Sequence, residues 1–501
     1  MSMMTRLLGT LLVLTSVSPM ASAEGLAQLP ARPQNIIIMI GDGMGPAYTS
    51  AYRLYRDEPA SEEVEETVFN RLLVGNASTF PAHQSGYVTD SAAAATALAT
   101  GVKTYNGAVS VDTEQKPVQT LFEEAKKRGM ATGVAVTSQI NHATPAAFLS
   151  HNVSRKNYDE LAQSYLTTGA DVLLGGGQRY FPPELRDQFA SQGYQVLLDI
   201  KELESVKSGK VLGLFADVQL PWALDEPESN SLSLLTTKAL ELLSQQPNGF
   251  VLLVEGSLID WAGHNNDIAT LLGEMHQFAN AIEVAEQFVR QHPNTLLVVT
   301  ADHDTGGLTL GRDDQYLWDP SLVRAMTMTP DSLAKHLLAF EDTDATTWQD
   351  ELQRLWPAPL SPEQISQIST AKSQDQDAHK ALVKTFTQII DISTHTGWTT
   401  GGHTGIDVQV FAAGAGANLF NGHQDNTDIA TKLFSLLPVQ NAKKVAVPAA
   451  SKASAPQAKA TEVKAPVVNA PTSTPAKAPA EIQAPVPKPA PKPVPVPVPQ
   501  A

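Results

Sequence analysis

Short, nearly unbroken apolar runs alternate with longer amphipathic stretches over most of this chain. The runs cover residues 35–40, 132–137, 250–254, 295–300 and 408–413. Runs of this kind predict strands buried on both faces, as in a largely parallel sheet. Between them, residues 118–128, 231–244 and 268–290 carry helical spacing, and residues 91–101 form an Ala-rich run ending on glycine. The expected fold is α/β, a largely parallel central sheet flanked by helices. From about residue 312 to residue 393 the alternation stops and polar positions dominate. That stretch reads as an insertion, either a cap or a dimer surface. No internal repeat is visible.

Both ends break the pattern. Arg6 precedes an apolar run over residues 7–17, and Ala21-Ser22-Ala23 follows as a small-x-small cleavage site. Residues 1–23 are therefore expected to be a secretory signal peptide, too short for a membrane span, with a buried N-terminal helix as the rival reading. The mature protein would begin near Glu24 and be periplasmic or secreted. It contains no cysteine, so its stability must come from a core and from bound metals rather than disulfides. Residues 441–501 are rich in Ala, Pro, Val and Lys, with eight Lys against two Glu. This composition favours extended polyproline conformations and suits either a spacer contacting the cell envelope or a tail without a partner. The formal charge of −17 then belongs to the folded body and argues against nucleic-acid binding. A phosphate substrate would need local positive charge, from arginine and metals.

The chemistry-bearing residues sit where the runs stop, and sites in open α/β sheets form outside the carboxyl ends of strands. The first run enters Gly41-Asp42-Gly43-Met44-Gly45. The run at 250–254 enters Glu255, with Asp260, Trp261 and His264 close behind. The run at 295–300 enters Ala301-Asp302-His303, and that at 132–137 is followed by His142, Thr144 and Arg155. His403 lies in a glycine-rich segment just before residue 408. Singly, each has an ordinary explanation: a turn aspartate, a polar loop, a solvated i, i+4 pair. Jointly, four strand ends deliver carboxylates and imidazoles to one sheet edge. Mixed carboxylate and imidazole ligation suits zinc, and all-oxygen ligation suits magnesium. Asp260, His264 and His403 make one three-ligand set; Asp42, Asp302 and His303 make another, with the Ser91 oxygen beside it. Thr144 and Glu255 offer oxygens for a third, harder cation that Asp42 can share. Ser91 opens the Ala-rich helix, where it is either an ordinary cap or a hydroxyl aimed at a bound anion.

At this point the residues resemble a known family. Ile40-Gly-Asp42-Gly-Met-Gly45, Thr89-Asp-Ser91-Ala-Ala-Ala, His142-Ala-Thr144-Pro145, Val254-Glu255-Gly, Ala301-Asp302-His303 and Gly402-His403-Thr-Gly405 look like alkaline phosphatase, in that family's order. The resemblance implies a catalytic domain over residues 24–440, with Ser91 as a phosphorylated nucleophile and Arg155 gripping phosphate. By the same carry-over, Asp260, His264 and His403 would hold one zinc, Asp42, Asp302 and His303 a second, and Asp42, Thr144 and Glu255 a magnesium. The expected activity is hydrolysis of small-molecule phosphate monoesters, with broad specificity and an alkaline optimum. His142 and Trp261 flank this set, standing where the enterobacterial members carry aspartate and lysine; both look more like the marine-bacterial and animal branches. Thr305 stands where several members carry histidine. Two rivals remain: a phosphodiesterase or nucleotide pyrophosphatase of the same superfamily, and a non-catalytic secreted protein that binds phosphate or cell wall.

Overall fold

The computed structural model describes residues 32–228, 230–342 and 347–438. The expected leader and tail lie outside them. Along the chain the strands are β1 (Asn35–Gly41), β2 (Leu73–Ser78), β3 (Ala131–Gln139), β4 (Val172–Gly176), β5 (Tyr194–Leu197), β6 (Lys210–Leu214), β7 (Phe250–Gly256) and β8 (Thr295–Ala301). Four short strands follow, β9 (Asp304–Thr305), β10 (Leu308–Leu310), β11 (Thr396–Trp398) and β12 (His403–Thr404), then β13 (Val408–Gly414) and β14 (Gly422–Asp425). Ten of them form one sheet in the order β14-β2-β13-β8-β1-β7-β3-β4-β6-β5. Every pairing in it is parallel except those of β13, which runs antiparallel to both neighbours.

All five expected strands are present, and four are adjacent at the centre as β8-β1-β7-β3. The apolar runs explain their position. Every residue of β3, β7 and β8 is buried, as is all of β1 after Asn35, because helices cover both faces of a parallel sheet. The run at 408–413 does form a strand, but its antiparallel direction was not legible in its composition. Two outer strands, β2 and β14, carry mostly half-buried or exposed residues, so no apolar run marks them.

The expected helices appear as Leu121–Lys127, Ser231–Leu243 and Ile268–Gln291. The first starts later than its spacing predicts because Thr120 caps it. Thr120 Oγ1 accepts from Glu123 N at 3.1 Å while Thr120 N donates to the Glu123 carboxylate at 3.0 Å, a reciprocal capping box. The polar stretch 312–393 is largely helical, with Pro330–Ala339, Trp348–Leu355, Pro362–Lys372 and Ala378–Thr394 as its longer helices. Leu382, Phe386 and Ile390 of the last helix are buried. Arg324 fastens the stretch to the body by donating to the carbonyls of Leu54, Tyr55 and Asp57. Those carbonyls lie at the C-terminal end of the helix Pro46–Arg56, where a cation is favoured. No described helix is long and apolar enough to cross a membrane.

Candidate active site

The register of the central strands dictates the site. Gly41 of β1 pairs with Gly256 of β7 on one side and Ala301 of β8 on the other. Asp42 and Asp302 therefore leave the sheet together, with Glu255 one position back on β7. The helix Leu258–His264 follows β7 at once and presents Asp260 and His264 one turn apart. The chain past His303 forms β9, which pairs with β12, His403 opposite Thr305. That pairing carries His403 in from a distant part of the sequence. Residues just beyond β3 bring His142 and Thr144.

Glycine permits the convergence at two positions. Gly43 has φ +67°, and a Cβ there would lie 2.6 Å from Thr305 Oγ1 and 2.8 Å from Asp260 Oδ1. Its N–H donates to Asp302 Oδ1 at 3.0 Å. A Cβ on Gly45 would overlap the Asp304 carboxylate. Any side chain at either position would push the acidic residues apart.

Three groups result, each with ligand atoms within 4.8 Å of one another: Asp260, His264 and His403; Asp42, Asp302 and His303; and Asp42, His142 and Glu255. In the first, His264 Nδ1–H donates to Gly401 O at 2.8 Å and His403 Nδ1–H donates to Thr89 O at 2.9 Å. Both Nε2 atoms thus face inward, 3.2 Å apart. Two lone pairs at that separation need a proton or a cation between them. Imidazoles on one tetrahedral zinc, with Zn–N of about 2.0–2.1 Å, bring their nitrogens about as close as this. Without a cation, hydrogen bonding to Asp260 lifts His264 to about 9. Burial opposes ionisation of Asp260, but the His264 hydrogen bond and the neighbouring imidazoles carry it below the usual carboxylate range.

The second group surrounds His303 Nε2, with Asp302 Oδ2 at 3.2 Å, Asp42 Oδ1 at 3.4 Å and Ser91 Oγ at 3.1 Å. Here burial dominates. It pushes Asp42 and Asp302 well above the usual carboxylate range and His303 well below the usual imidazole value. In the third group burial raises Glu255 to about 7, although the Ser257 hydroxyl donates to its Oε2 at 2.6 Å. Both Asp42 oxygens, Asp302 Oδ2, Glu255 Oε1 and Thr144 Oγ1 are buried without a hydrogen-bond partner. Orphaned buried carboxylate oxygens are costly, and cations would remove that cost. The donor chemistry fits two mixed carboxylate–imidazole sites and one oxygen-rich site.

Ser91 is not the helix cap. Asp90 caps the helix Ser91–Thr100, its Oδ1 accepting from Ala93 N at 3.0 Å and Gly107 N at 2.9 Å. Ser91 Oγ is left to face His303. Arg155 reaches the same place from the loop after the helix Ala143–Leu149. Its Nη1 donates to Asp90 Oδ2 and its Nη2 to His142 Nε2, both at 3.1 Å. Asp90 thus fixes the helix start and the guanidinium together, a role sequence reading missed, although Asp before a helical run is a cap signal. Burial and the Arg155 charge lower His142 to about 3, so its ring is neutral and Arg155 holds the lone pair of Nε2. Trp261 packs edge-on against His142, ring centroids 5.8 Å apart. Thr305 Oγ1 donates to Asp260 Oδ1 at 2.6 Å and lies 3.3 Å from His303 Nδ1. One hydroxyl therefore ties the first group to the second.

Comparison with known proteins bears on this geometry. The alkaline phosphatase family profile matches residues 33–439. Alkaline phosphatase 3 of Bacillus subtilis is 42% identical over 418 residues, covering 81% of this chain and 89% of that protein. The cold-active alkaline phosphatase of a psychrophilic Shewanella is 57% identical, with a TM-score of 0.78, covering 81% of this chain and 100% of that one. A histidine-to-aspartate variant of the alkaline phosphatase from the Antarctic bacterium TAB5, described with Mg bound in its M3 site, is 26% identical with a TM-score of 0.59. That match covers 81% of this chain and 98% of the other.

Proposed function

This chain belongs to the alkaline phosphatase family, and on that premise we propose how its own side chains hydrolyse phosphate monoesters. Asp260, His264 and His403 would hold one zinc, Asp42, Asp302 and His303 a second, and Asp42, Thr144 and Glu255 a magnesium. When bound, these ions supply the positive charge that acidifies the Ser91 hydroxyl and a water and neutralises phosphate. Ser91 Oγ, deprotonated, attacks phosphorus in line; the ester P–O bond breaks and the alcohol leaves with a proton. Water then attacks the phosphoserine, the Ser91 O–P bond breaks, and Ser91 regains its proton as inorganic phosphate departs. Arg155 grips two non-bridging oxygens with its planar fork. Asp90 pre-orients that fork, so less freedom is lost on binding. None of these groups recognises the alcohol, which supports broad monoester specificity. The need to deprotonate a hydroxyl and a water supports an alkaline optimum.

His142 flanks the third site in this reading. A neutral imidazole has one lone pair, and Arg155 occupies it, which favours an oxygen-ligated magnesium over a third zinc. That a histidine-to-aspartate variant of the TAB5 enzyme is described with Mg bound in its M3 site supports magnesium as the ion of the third site. The proposal extends to export directed by residues 1–23, a periplasmic or secreted mature protein, an envelope-contacting tail over 441–501, and a homodimer with 312–393 as a cap or contact surface.

The observation that carries the reading is the set of buried oxygens without partners around Ser91 and Arg155. Metal analysis of the purified protein, alongside turnover of p-nitrophenyl phosphate and bis-p-nitrophenyl phosphate, tests it. Two zincs, one magnesium and a strong preference for the monoester are expected. Preference for the diester would favour the phosphodiesterase rival, and no turnover of either the binding-protein rival.

A further inference from the structure

A pocket of about 840 Å³ opens directly beside the exposed flank of His264 and runs under the helix Ala378–Thr394. Its volume lies in the range of sites that hold small ligands. Part of its wall is apolar, made by Val383 and the Trp398 indole. That indole is held in place, since its Nε1–H donates to buried Asp391 at 3.1 Å and its ring meets Tyr48 edge-on. The charges around the pocket are unevenly satisfied. Asp313 is paired with Arg312 at 2.8 Å, and Asp331 with Lys335 at 2.6 Å and His379 at 3.2 Å. Lys380 and Lys384, one turn apart on the same helix, line the pocket and are exposed. Neither ammonium group has an ion-pair or hydrogen-bond partner among the described residues. In a chain of formal charge −17, two adjacent unpaired ammonium groups lining the same pocket as a candidate metal ligand stand apart. The same lysines also border a second hollow of about 610 Å³.

We propose that this pocket is a leaving-group subsite, and that Lys380 and Lys384 select substrates whose leaving group carries its own negative charge, nucleoside diphosphates being the probe class. The inference rests on the reading of His264 as part of the phosphatase centre. A phosphoryl group held at Ser91 and Arg155 must project its leaving group away from them. The exposed side of His264 is where the pocket begins. Lys380 and Lys384 then act on the leaving group alone, Trp398 offers an aromatic wall for a base, and the transferring phosphoryl group makes the same contacts whatever its substituent.

The test uses the metal-loaded full chain and three substrates. Phosphoryl transfer from ADP expels anionic AMP, transfer from AMP expels uncharged adenosine, and the leaving group of p-nitrophenyl phosphate carries no phosphate. In Lys380→Glu/Lys384→Glu, kcat/KM for ADP should fall about tenfold at low ionic strength, as expected for two exposed charge contacts each reversed in sign. AMP and p-nitrophenyl phosphate should change by less than about twofold, since exposed substitutions away from the chemistry have small effects. High salt should shrink the ADP effect. Inhibition of p-nitrophenyl phosphate turnover by α,β-methylene-ADP should weaken by the same factor as ADP turnover. Lys380→Gln/Lys384→Gln should fall between wild type and the reversal. Equal losses for ADP and AMP, or no loss for either, would overturn the subsite. Failure of the wild-type holoenzyme to hydrolyse p-nitrophenyl phosphate would instead overturn the phosphatase reading beneath it.

Discussion

The two halves of the metal-binding region solve the burial of charge in opposite ways. Around Asp260, His264 and His403, each imidazole is aimed by a backbone carbonyl and Asp260 is held by Thr305. This half is also open: the His264 side chain is 39% exposed. Around Asp42, Asp302, Glu255 and Thr144, burial is complete and five oxygens have no partner. The open half is oriented before any ion arrives, and an accessible coordination position is what a leaving group needs. The sealed half is repelled and desolvated until cations fill it, so on the proposed reading ions there would hold the fold as well as serve the chemistry. Ser91 and Arg155 stand against the sealed half, and the leaving-group pocket opens from the other.

The largest expected effect removes the proposed nucleophile, at the cost of one contact to His303 in the sealed half. Ser91→Ala should lower turnover of p-nitrophenyl phosphate by roughly 10³-fold or more, the scale of losing a covalent nucleophile, while zinc and magnesium contents stay unchanged. Loss of metal along with activity would show that Ser91 Oγ belongs chiefly to the metal shell.

Chelation separates the halves directly. Under limiting chelator, the accessible group should release its zinc first, lowering activity by at least about tenfold while thermal stability barely changes. Exhaustive stripping should then lower the melting temperature by about 10 °C or more, because several kcal/mol of buried charge repulsion return. A single step in which activity and stability fall together would break the comparison. Removing the guanidinium comes next. Arg155→Ala should weaken inhibition by inorganic phosphate by about 1.5–3 kcal/mol, the worth of hydrogen bonds to charged groups, with unchanged zinc content. Unaltered inhibition would place Arg155 outside the phosphate site.

These experiments turn on residues whose visibility in the sequence differed. The β1, β3, β7 and β8 runs were legible because burial on both faces leaves few polar positions, mostly threonines and the strand ends. Much of the site could be read from them because Asp42, Glu255 and Asp302–His303 follow those runs at once, with Asp260, His264, His142 and Thr144 within ten residues. What stayed hidden depends on pairing across long sequence distances. The direction of β13 is set by its neighbours, and the short β9–β12 pairing that places the already legible His403 was not itself visible. The role of Asp90 appears only when Arg155 arrives 65 residues later. The helices of 312–393 hid because a few buried positions, such as Leu382 and Phe386, are diluted by polar surface.

Smaller effects probe the sealed half itself. His142→Asp should tighten magnesium roughly tenfold, since one more carboxylate joins an oxygen-rich site, and Trp261→Lys should strengthen phosphate inhibition several-fold and lower kcat where release limits turnover. Separate Mg²⁺ and Zn²⁺ titrations of stripped protein check the first; an unchanged magnesium affinity would contradict the account of that site. Glu274 is the internal control. Burial raises it to about 7, as it does Glu255, yet Glu274 belongs to no candidate metal group among the described residues. Its folded pKa lies above its unfolded value. The associated stability is therefore full below about pH 4.5 and is lost as pH rises through 7. Glu274→Gln should accordingly stabilise the protein by about 1–3 kcal/mol above pH 8 and by nothing at pH 4. Unfolding midpoints measured across that range, with and without metals, should show the same gain in both; a gain that depends on metal would link Glu274 to the site.

The central claim is that Ser91, set against the sealed half and facing His303, carries the phosphoryl group. Incubating the metal-loaded enzyme with labelled inorganic phosphate, quenching in acid and mapping the labelled peptide tests this most directly. Label on Ser91 alone is predicted; label on any other residue, or none on an enzyme that turns over p-nitrophenyl phosphate, would contradict it.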